Sequence, residues 1–314
     1  MSTTDSAHAD ASDPAPKLFA LEVLKGRLVR IDPGSGETTI ISSELAEAPD
    51  GIVIDRENFR ALITQMGQPD HAPAPGEEPP FTTRNGSVVA VDLNTGTLAE
   101  VVRRGTFTTG KQIARNPADG RIYWADREGR AIYRCEADGS NVTPMVETAD
   151  RGPNSSEEEC VGVAVDAENK MLYWTIKGPA DGGKGRILRA GLEIPSGSTA
   201  ANREDYEIIA AELPEVIDLD LDLDAGVLYW TDRGVGPLGN SLNRARIPAA
   251  GKTITAPTVL ETGFHEAIGL ALDLPSGLAY VSDLSGEIRA VDLTRGTSRT
   301  VTVLEGAATG IALG

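Results

Sequence analysis

The sequence predicts an all-β fold: a six-bladed β-propeller with four antiparallel strands in each blade. Three observations carry that prediction. Five segments share a short apolar run, an Asp or Asn, a tight turn and a second apolar run: DGIVIDRENFRALIT (50–64), KQIARNPADGRIYWA (111–125), CVGVAVDAENKMLYWT (160–175), EVIDLDLDLDAGVLYWT (215–231) and AIGLALDLPSGLAYVS (267–282). From Asn116 to Tyr123, Asp166 to Tyr173, Asp222 to Tyr229 and Asp273 to Tyr280 the offset is always seven residues. The residues that mark the first strands, Gly51, Gln112, Gly162, Asp218, Gly269 and Gly310, recur at spacings of 61, 50, 56, 51 and 41.

Each unit continues in the same way. An alternating run that closes on a Gly turn supplies the third strand: GRLVRIDPGSG (26–36), GSVVAVDLNTG (86–96), RAIYRCEADGS (130–140), RILRAGLEIPSG (186–197), SLNRARIPAAG (241–251) and GEIRAVDLTRG (286–296). Fourth runs such as TTIIS, LAEVV, TPMVE, YEIIA and TVLE end the units. The last first strand, TGIALG (309–314), has nothing after it, while KLFALEV (17–23), GRLVRID (26–32) and TTIIS (38–42) lack a first strand. The two chain ends must therefore share one blade, which removes the open edge of the ring. The propeller spans 17–314, and residues 1–16, rich in Ser, Ala and Asp, read as a disordered arm.

The chain has 314 residues, 29 basic against 47 acidic, a net charge of −18. That charge repels phosphate backbones and anionic lipid, which argues against nucleic-acid and membrane partners. No run of 18 apolar residues is present, and the N-terminus lacks the basic start and apolar stretch of a secretory signal. Two cysteines, Cys135 and Cys160, fit a pair of thiols better than a disulfide framework, and with the missing signal they lead us to expect a cytoplasmic setting.

At YWAD (123–126), YWTI (173–176) and YWTD (229–232) the chain resembles the class B YWTD repeats of low-density-lipoprotein-receptor-type propellers. In that family the tetrad packs blade against blade, so the resemblance implies that Tyr123, Trp124, Tyr173, Trp174, Tyr229 and Trp230 belong to the core. A receptor role does not follow from the fold alone. PDGIVID (49–55) resembles a motif of the senescence-marker and gluconolactonase propellers, lactonases with a divalent metal at the axis. That resemblance places a metal ligand at Asp50 and raises a divalent cation such as calcium as cofactor. No Asn-Gly partner recurs before the other first strands, where Lys111, Val161, Ile217, Ile268 and Thr309 stand.

First-to-second turns are short, whereas second-to-third connections are long at 65–85, 176–185 and 232–240. Binding is expected on the rim that carries these loops, with 68–85 as a cover over it. The residues just ahead of each first strand should line the central mouth: Asp50, Lys111 with Gln112, Glu158 with Glu159, Glu215, His265 with Glu266, and Thr309. At two first-strand positions where other blades have small residues, one blade has Asp218 and Asp220. Buried there, these carboxylates need donors or a cation. Either they pair with Arg or backbone amides, or they form a metal or acid–base site near the axis.

Two functions from different classes follow. The first is an enzyme acting on a small molecule in the axial funnel by acid–base or metal-assisted chemistry. Lactone or ester hydrolysis is the nearest analogy, and metabolite isomerisation or cyclisation, as in strictosidine-synthase-like propellers, is the other. In that scheme His265 carries the proton, with Glu266, Lys111, Glu159 and Glu215 as catalytic partners. Gln112, His71, Arg233, Asn240, Phe264 and Thr309 hold the substrate, and Asp50, Asp218 and Asp220 hold the metal. The second is a non-catalytic propeller that binds a protein partner or a ligand. An open polar funnel favours the first; an axis plugged by apolar side chains, with apolar residues on the rim, favours the second.

Overall fold

The computed structural model describes residues 16–72, 79–148 and 155–314. The expected arm lies outside the described residues, apart from its last residue, and so does the centre of the expected cover, 73–78. Among the described residues no helix is long and apolar enough to cross a membrane.

The described chain forms six four-stranded antiparallel sheets, as the repeat predicts. The first complete blade holds β4 (Pro49–Asp55), β5 (Arg60–Gln65), β6 (Gly86–Asp92) and β7 (Leu98–Phe107). The second holds β8 (Gly110–Arg115), β9 (Ile122–Asp126), β10 (Ala131–Cys135) and β11 (Thr143–Glu147). The third holds β12 (Cys160–Asp166), β13 (Met171–Ile176), β14 (Gly185–Gly191) and β15 (Glu207–Leu213). The fourth holds β16 (Val216–Asp222), β17 (Val227–Asp232), β18 (Ser241–Arg246) and β19 (Thr258–Thr262). The fifth holds β20 (Ala267–Asp273), β21 (Leu278–Asp283), β22 (Glu287–Asp292) and β23 (Ser298–Val303).

The closing blade joins both ends of the chain. Its order is β24 (Ala308–Leu313), β1 (Leu18–Glu22), β2 (Arg27–Ile31) and β3 (Thr38–Ser42). Leu18 faces Leu313 and Ala20 faces Ile311, and Lys17 and Gly314 exchange two main-chain hydrogen bonds at 3.1 and 2.9 Å. The inner strands β4, β8, β12, β16, β20 and β24 touch one another in sequence around the axis.

The tetrad tryptophans Trp124, Trp174 and Trp230 are buried. Each packs on the preceding blade: Trp124 clusters with Leu62 and Val88, Trp174 with Ala125 and Ile132, and Trp230 with Tyr173 and Ile187. The third residue of the tetrad stitches blades together. Thr175 Oγ1 accepts the Gly162 amide at 2.7 Å and donates to the Ile217 carbonyl of the next blade at 2.6 Å. Thr64, Thr231 and Ser282 do the same to Lys111, Ile268 and Thr309. Such close approach explains the first-strand glycines. A Cβ on Gly51 would lie 2.5 Å from the Lys111 carbonyl oxygen, and one on Gly162 2.5 Å from that of Ile217.

Both cysteines are free and buried, and burial pushes each thiol up to about 12, so neither is a ready nucleophile.

Candidate ligand-binding recess

Two rings of side chains surround the axis on the long-loop face. The inner ring holds one residue near the start of each inner strand: Asp50, Lys111, Val161, Ile217, Ile268 and Thr309. Val161, Ile217 and Ile268 pack together, with Leu284 against them, and plug the channel.

The outer ring holds the residue that follows each second strand: Val23, Met66, Arg127, Lys177, Arg233 and Leu284. The six are equivalent in backbone terms. Each donates its amide to a carbonyl in the segment leading into its own blade's inner strand, namely Ala307, Ala48, Thr109, Glu159, Glu215 and His265. Taken in blade order the ring is split: Leu284, Val23 and Met66 make an apolar arc, and Arg127, Lys177 and Arg233 a cationic one. Between the arcs lies a recess of about 230 Å³, lined by Asp50, Lys111, Arg127, Arg233 and Thr309, and on its apolar side by Met66, Phe81, Leu284 and others. A smaller void beneath it touches Lys111, Arg127, Lys177 and Arg233.

Acids behind the ring hold the cations. Lys177 Nζ lies 3.1 Å from Glu159 and 3.5 Å from Glu215. Arg233 Nε donates to Glu215 at 2.7 Å, and a second arginine nitrogen stands 3.5 Å from Glu266. Arg127 Nε donates to Glu128 at 2.7 Å. Lys111 sits where the two arcs meet. Its Nζ donates to Asp50 Oδ2 at 2.9 Å and contacts Met66 Sδ at 3.0 Å, while Gln112 Nε2 donates to Asp50 Oδ1 at 3.2 Å. Burial pulls the Lys111 ammonium below the ordinary lysine range, Asp50 opposes that pull, and the charge of Arg127 adds to it.

The structure brings together Asp50, Lys111, Gln112, Thr309, Glu159, Glu215 and Arg233. It does not bring His265 in. That side chain is 75 % exposed, with Nδ1 3.9 Å from Asp283. Its neighbour Glu266 has a positive φ of 61° and an amide held by Asn240 Oδ1 at 2.7 Å, so the turn points the histidine outward. Asn240 serves that turn, Phe264 is buried under the Arg289 guanidinium at 4.4 Å, and His71 is exposed with Nδ1 3.1 Å from the Ala72 carbonyl. Glu158 pairs with Arg186 at 3.0 Å.

The three expected metal ligands do not converge. Asp50 lines the long-loop recess, whereas Asp218 and Asp220 line a separate recess of about 360 Å³ at the other end of the axis. There Asp218 accepts the Leu219 and Leu270 amides at 2.9 and 3.0 Å, and Asp220 accepts the Leu221 amide at 2.8 Å. Burial raises both, Asp220 to about 6. Among the described residues no group of three or more His, Cys, Asp or Glu is placed to hold a metal ion. The pairing with backbone amides is therefore the arrangement seen.

The described part of 65–85 does reach the recess. Phe81 is buried at its wall, its carbonyl accepts Thr109 Oγ1 at 2.7 Å, and Asp70 binds the Thr82 and Thr83 amides at 2.9 and 3.0 Å. The sequence reading missed Arg127, Lys177 and the apolar arc. Their signal is the residue one step past the tetrad, YWAD-Arg, YWTI-Lys and YWTD-Arg.

No protein-family profile matches the chain. Curated relatives do. The chain is 34 % identical over 326 residues to a protein of Pyricularia oryzae named low-density lipoprotein receptor-related protein 1, covering 96 % of this chain and 99 % of the relative. It is 33 % identical over 302 residues to the 3-hydroxyacyl-CoA dehydrogenase-like protein LAM1 of Cochliobolus heterostrophus, covering 90 % of this chain and 61 % of that protein. Among solved structures, a chain of the nidogen/laminin complex superposes with a TM-score of 0.73 at 16 % identity, covering 95 % of this chain and 98 % of that one. A gluconolactonase from Xanthomonas campestris superposes with a TM-score of 0.59 at 15 % identity, covering 83 % and 78 %. At such identities these two show the fold alone. Together with the tetrads and the six closed blades, the relative from Pyricularia oryzae shows that the chain belongs to the family of YWTD-repeat six-bladed β-propellers, similar to proteins named for the low-density lipoprotein receptor.

Proposed function

We propose that the chain is a recognition propeller whose long-loop recess binds a small organic anion with an apolar body. One observation carries this reading: the outer ring divides into a cationic arc and an apolar arc above an apolar plug. An anionic group gains charge-assisted hydrogen bonds from Arg127 and Arg233, while its hydrocarbon part leaves water along Met66, Phe81 and Leu284. The plugged axis, the outward His265 and the backbone-paired Asp218 and Asp220 all favour binding over hydrolysis. A protein partner is the second reading. It is supported by Leu24, Val235 and Leu238, 82, 59 and 52 % exposed on the same rim, and by relatives named for receptors.

Calorimetry with 4-methylpentanoate and its neutral amide tests the proposal. The carboxylate should bind and the amide at least about tenfold more weakly, a difference of about 1.4 kcal/mol. Arg127→Gln should weaken the carboxylate by a similar factor. Equal binding of acid and amide, or an unchanged affinity in Arg127→Gln, would overturn it.

A further inference from the structure

We propose that Lys111 captures a 2-oxo acid as a reversible imine, so that the recess holds its ligand covalently; this rests on the reading of the recess as an amphiphilic-anion site. The geometry of the ring leads to it. A ligand whose carboxylate meets Arg127 and whose hydrocarbon tail runs along Met66 must place the atom joining the two parts between those residues. Lys111 occupies that boundary: its Nζ is 3.0 Å from Met66 Sδ, and Arg127 lines the same recess. In a 2-oxo acid the joining atom is the carbonyl carbon.

Among the described residues, Lys177 is the one other lysine that borders the axial recesses. Lys177 lies within the cationic arc, between Glu159 and Glu215. Lys111 instead is hydrogen-bonded to Asp50 at 2.9 Å, with Gln112 holding the other oxygen of that carboxylate. Around Nζ stand Asp50 and Met66 of the preceding blade, and Arg127 with its partner Glu128 of its own. Burial favours the neutral amine at this position, which is the form that attacks carbonyls.

The step balances without an oxidant or reductant. Asp50 takes a proton from the ammonium, and the freed nitrogen pair forms a bond to the carbonyl carbon. The two protons left on nitrogen pass to the carbonyl oxygen, which leaves as water, giving C=N, and the proton held by Asp50 returns to the imine nitrogen to give the iminium paired with that carboxylate. One amine and one ketone thus become one imine and one water, and hydrolysis reverses the step. Arg127 holds the carboxylate, and the apolar arc keeps bulk water from the new bond.

The test uses the full chain at neutral pH with 4-methyl-2-oxopentanoate and sodium cyanoborohydride, which reduces an imine to a stable secondary amine. Intact-mass spectrometry should show one adduct, and peptide mapping should place it at Lys111 with at least about tenfold preference over Lys17, Lys25, Lys170, Lys177, Lys184 and Lys252. Excess 4-methylpentanoate should suppress it, and Lys111→Arg should abolish it. Mapping on the unaltered chain keeps the test valid even where the variant does not fold. An adduct on another lysine, or no adduct, overturns the proposal. If 4-methylpentanoate still binds in that case, the anion site stands and only the covalent step falls; if it does not bind, the reading of the recess falls as well.

Discussion

Deleting Gly310–Gly314 should unfold the whole ring, because those five residues form most of the inner strand of the closing blade. Ile311 is 4 % exposed and Ala312 is also buried. Losing the burial of Ile311 costs roughly 2–3 kcal/mol, and the small Ala312 and the half-buried Leu313 contribute about 1 kcal/mol each. The deletion also removes the two bonds between Lys17 and Gly314 and the ladder that pairs Leu18, Phe19 and Ala20 with Leu313, Ala312 and Ile311. At about 1 kcal/mol for each lost main-chain bond, these add roughly 4 kcal/mol. Phe19 and Ile52, which cluster with Ala312, become exposed as well. The total is on the order of 8–10 kcal/mol, comparable with the whole stability of a typical domain, about 5–15 kcal/mol. Urea unfolding followed by tryptophan fluorescence reads this directly, since Trp124, Trp174 and Trp230 lie in three blades away from the cut. The deleted chain should show no cooperative transition, whereas a chain lacking 1–14 should unfold at the midpoint of the intact protein. A deletion of 310–314 with an unchanged midpoint would refute the clasp as the source of closure.

Two further outcomes are expected. Thr231→Val keeps shape but removes the bond accepted from the Asp218 amide at 3.1 Å and the one donated to the Ile268 carbonyl at 2.7 Å. It should cost roughly 2–4 kcal/mol in urea unfolding, with Thr231→Ser recovering most of it; a loss below about 0.5 kcal/mol would deny the stitch. The second concerns pH. Burial raises Asp232 to about 7 and Asp126 to about 6, so the folded chain binds more protons than the unfolded chain between about pH 4 and 7. Stability should therefore fall as pH rises through that window. Asp232→Asn should remove on the order of 2–4 kcal/mol of that fall, because Asp232 Oδ1 accepts the Glu215 and Gly234 amides at 3.0 and 2.9 Å, bonds an asparagine oxygen can keep. An Asn variant with an unaltered pH profile would assign the slope elsewhere.

Strand count, blade count and ring closure were legible in the chain because a propeller repeats one unit whose register is set by local rules. Alternation marks the strands, Gly and Asp mark the turns, and a constant offset of seven from Asp166 to Tyr173 and its counterparts marks each hairpin. The small first-strand residues likewise announced the close approach later seen between Gly162 and Ile217. The mouth was legible only in part. Asp50, Lys111, Gln112 and Thr309 could be read from their place beside the first strands, since strand register carries them to the axis. His265 stands three residues ahead of its own blade's ring residue, Ile268, and the turn held by Asn240 and Glu266 points it outward.

Residue order alone determined that six equivalent hairpins exist and that each ends in one residue past its tetrad. Which of those six residues become neighbours is a property of the closed circle. Val23 and Leu284 stand 261 positions apart in the chain, yet they form one apolar arc, because β24 and β1 bring the two ends into a single sheet. The division of the ring into a charged half and an oily half, and the placement of Lys111 where they meet, arise from contacts between blades that no local pattern encodes.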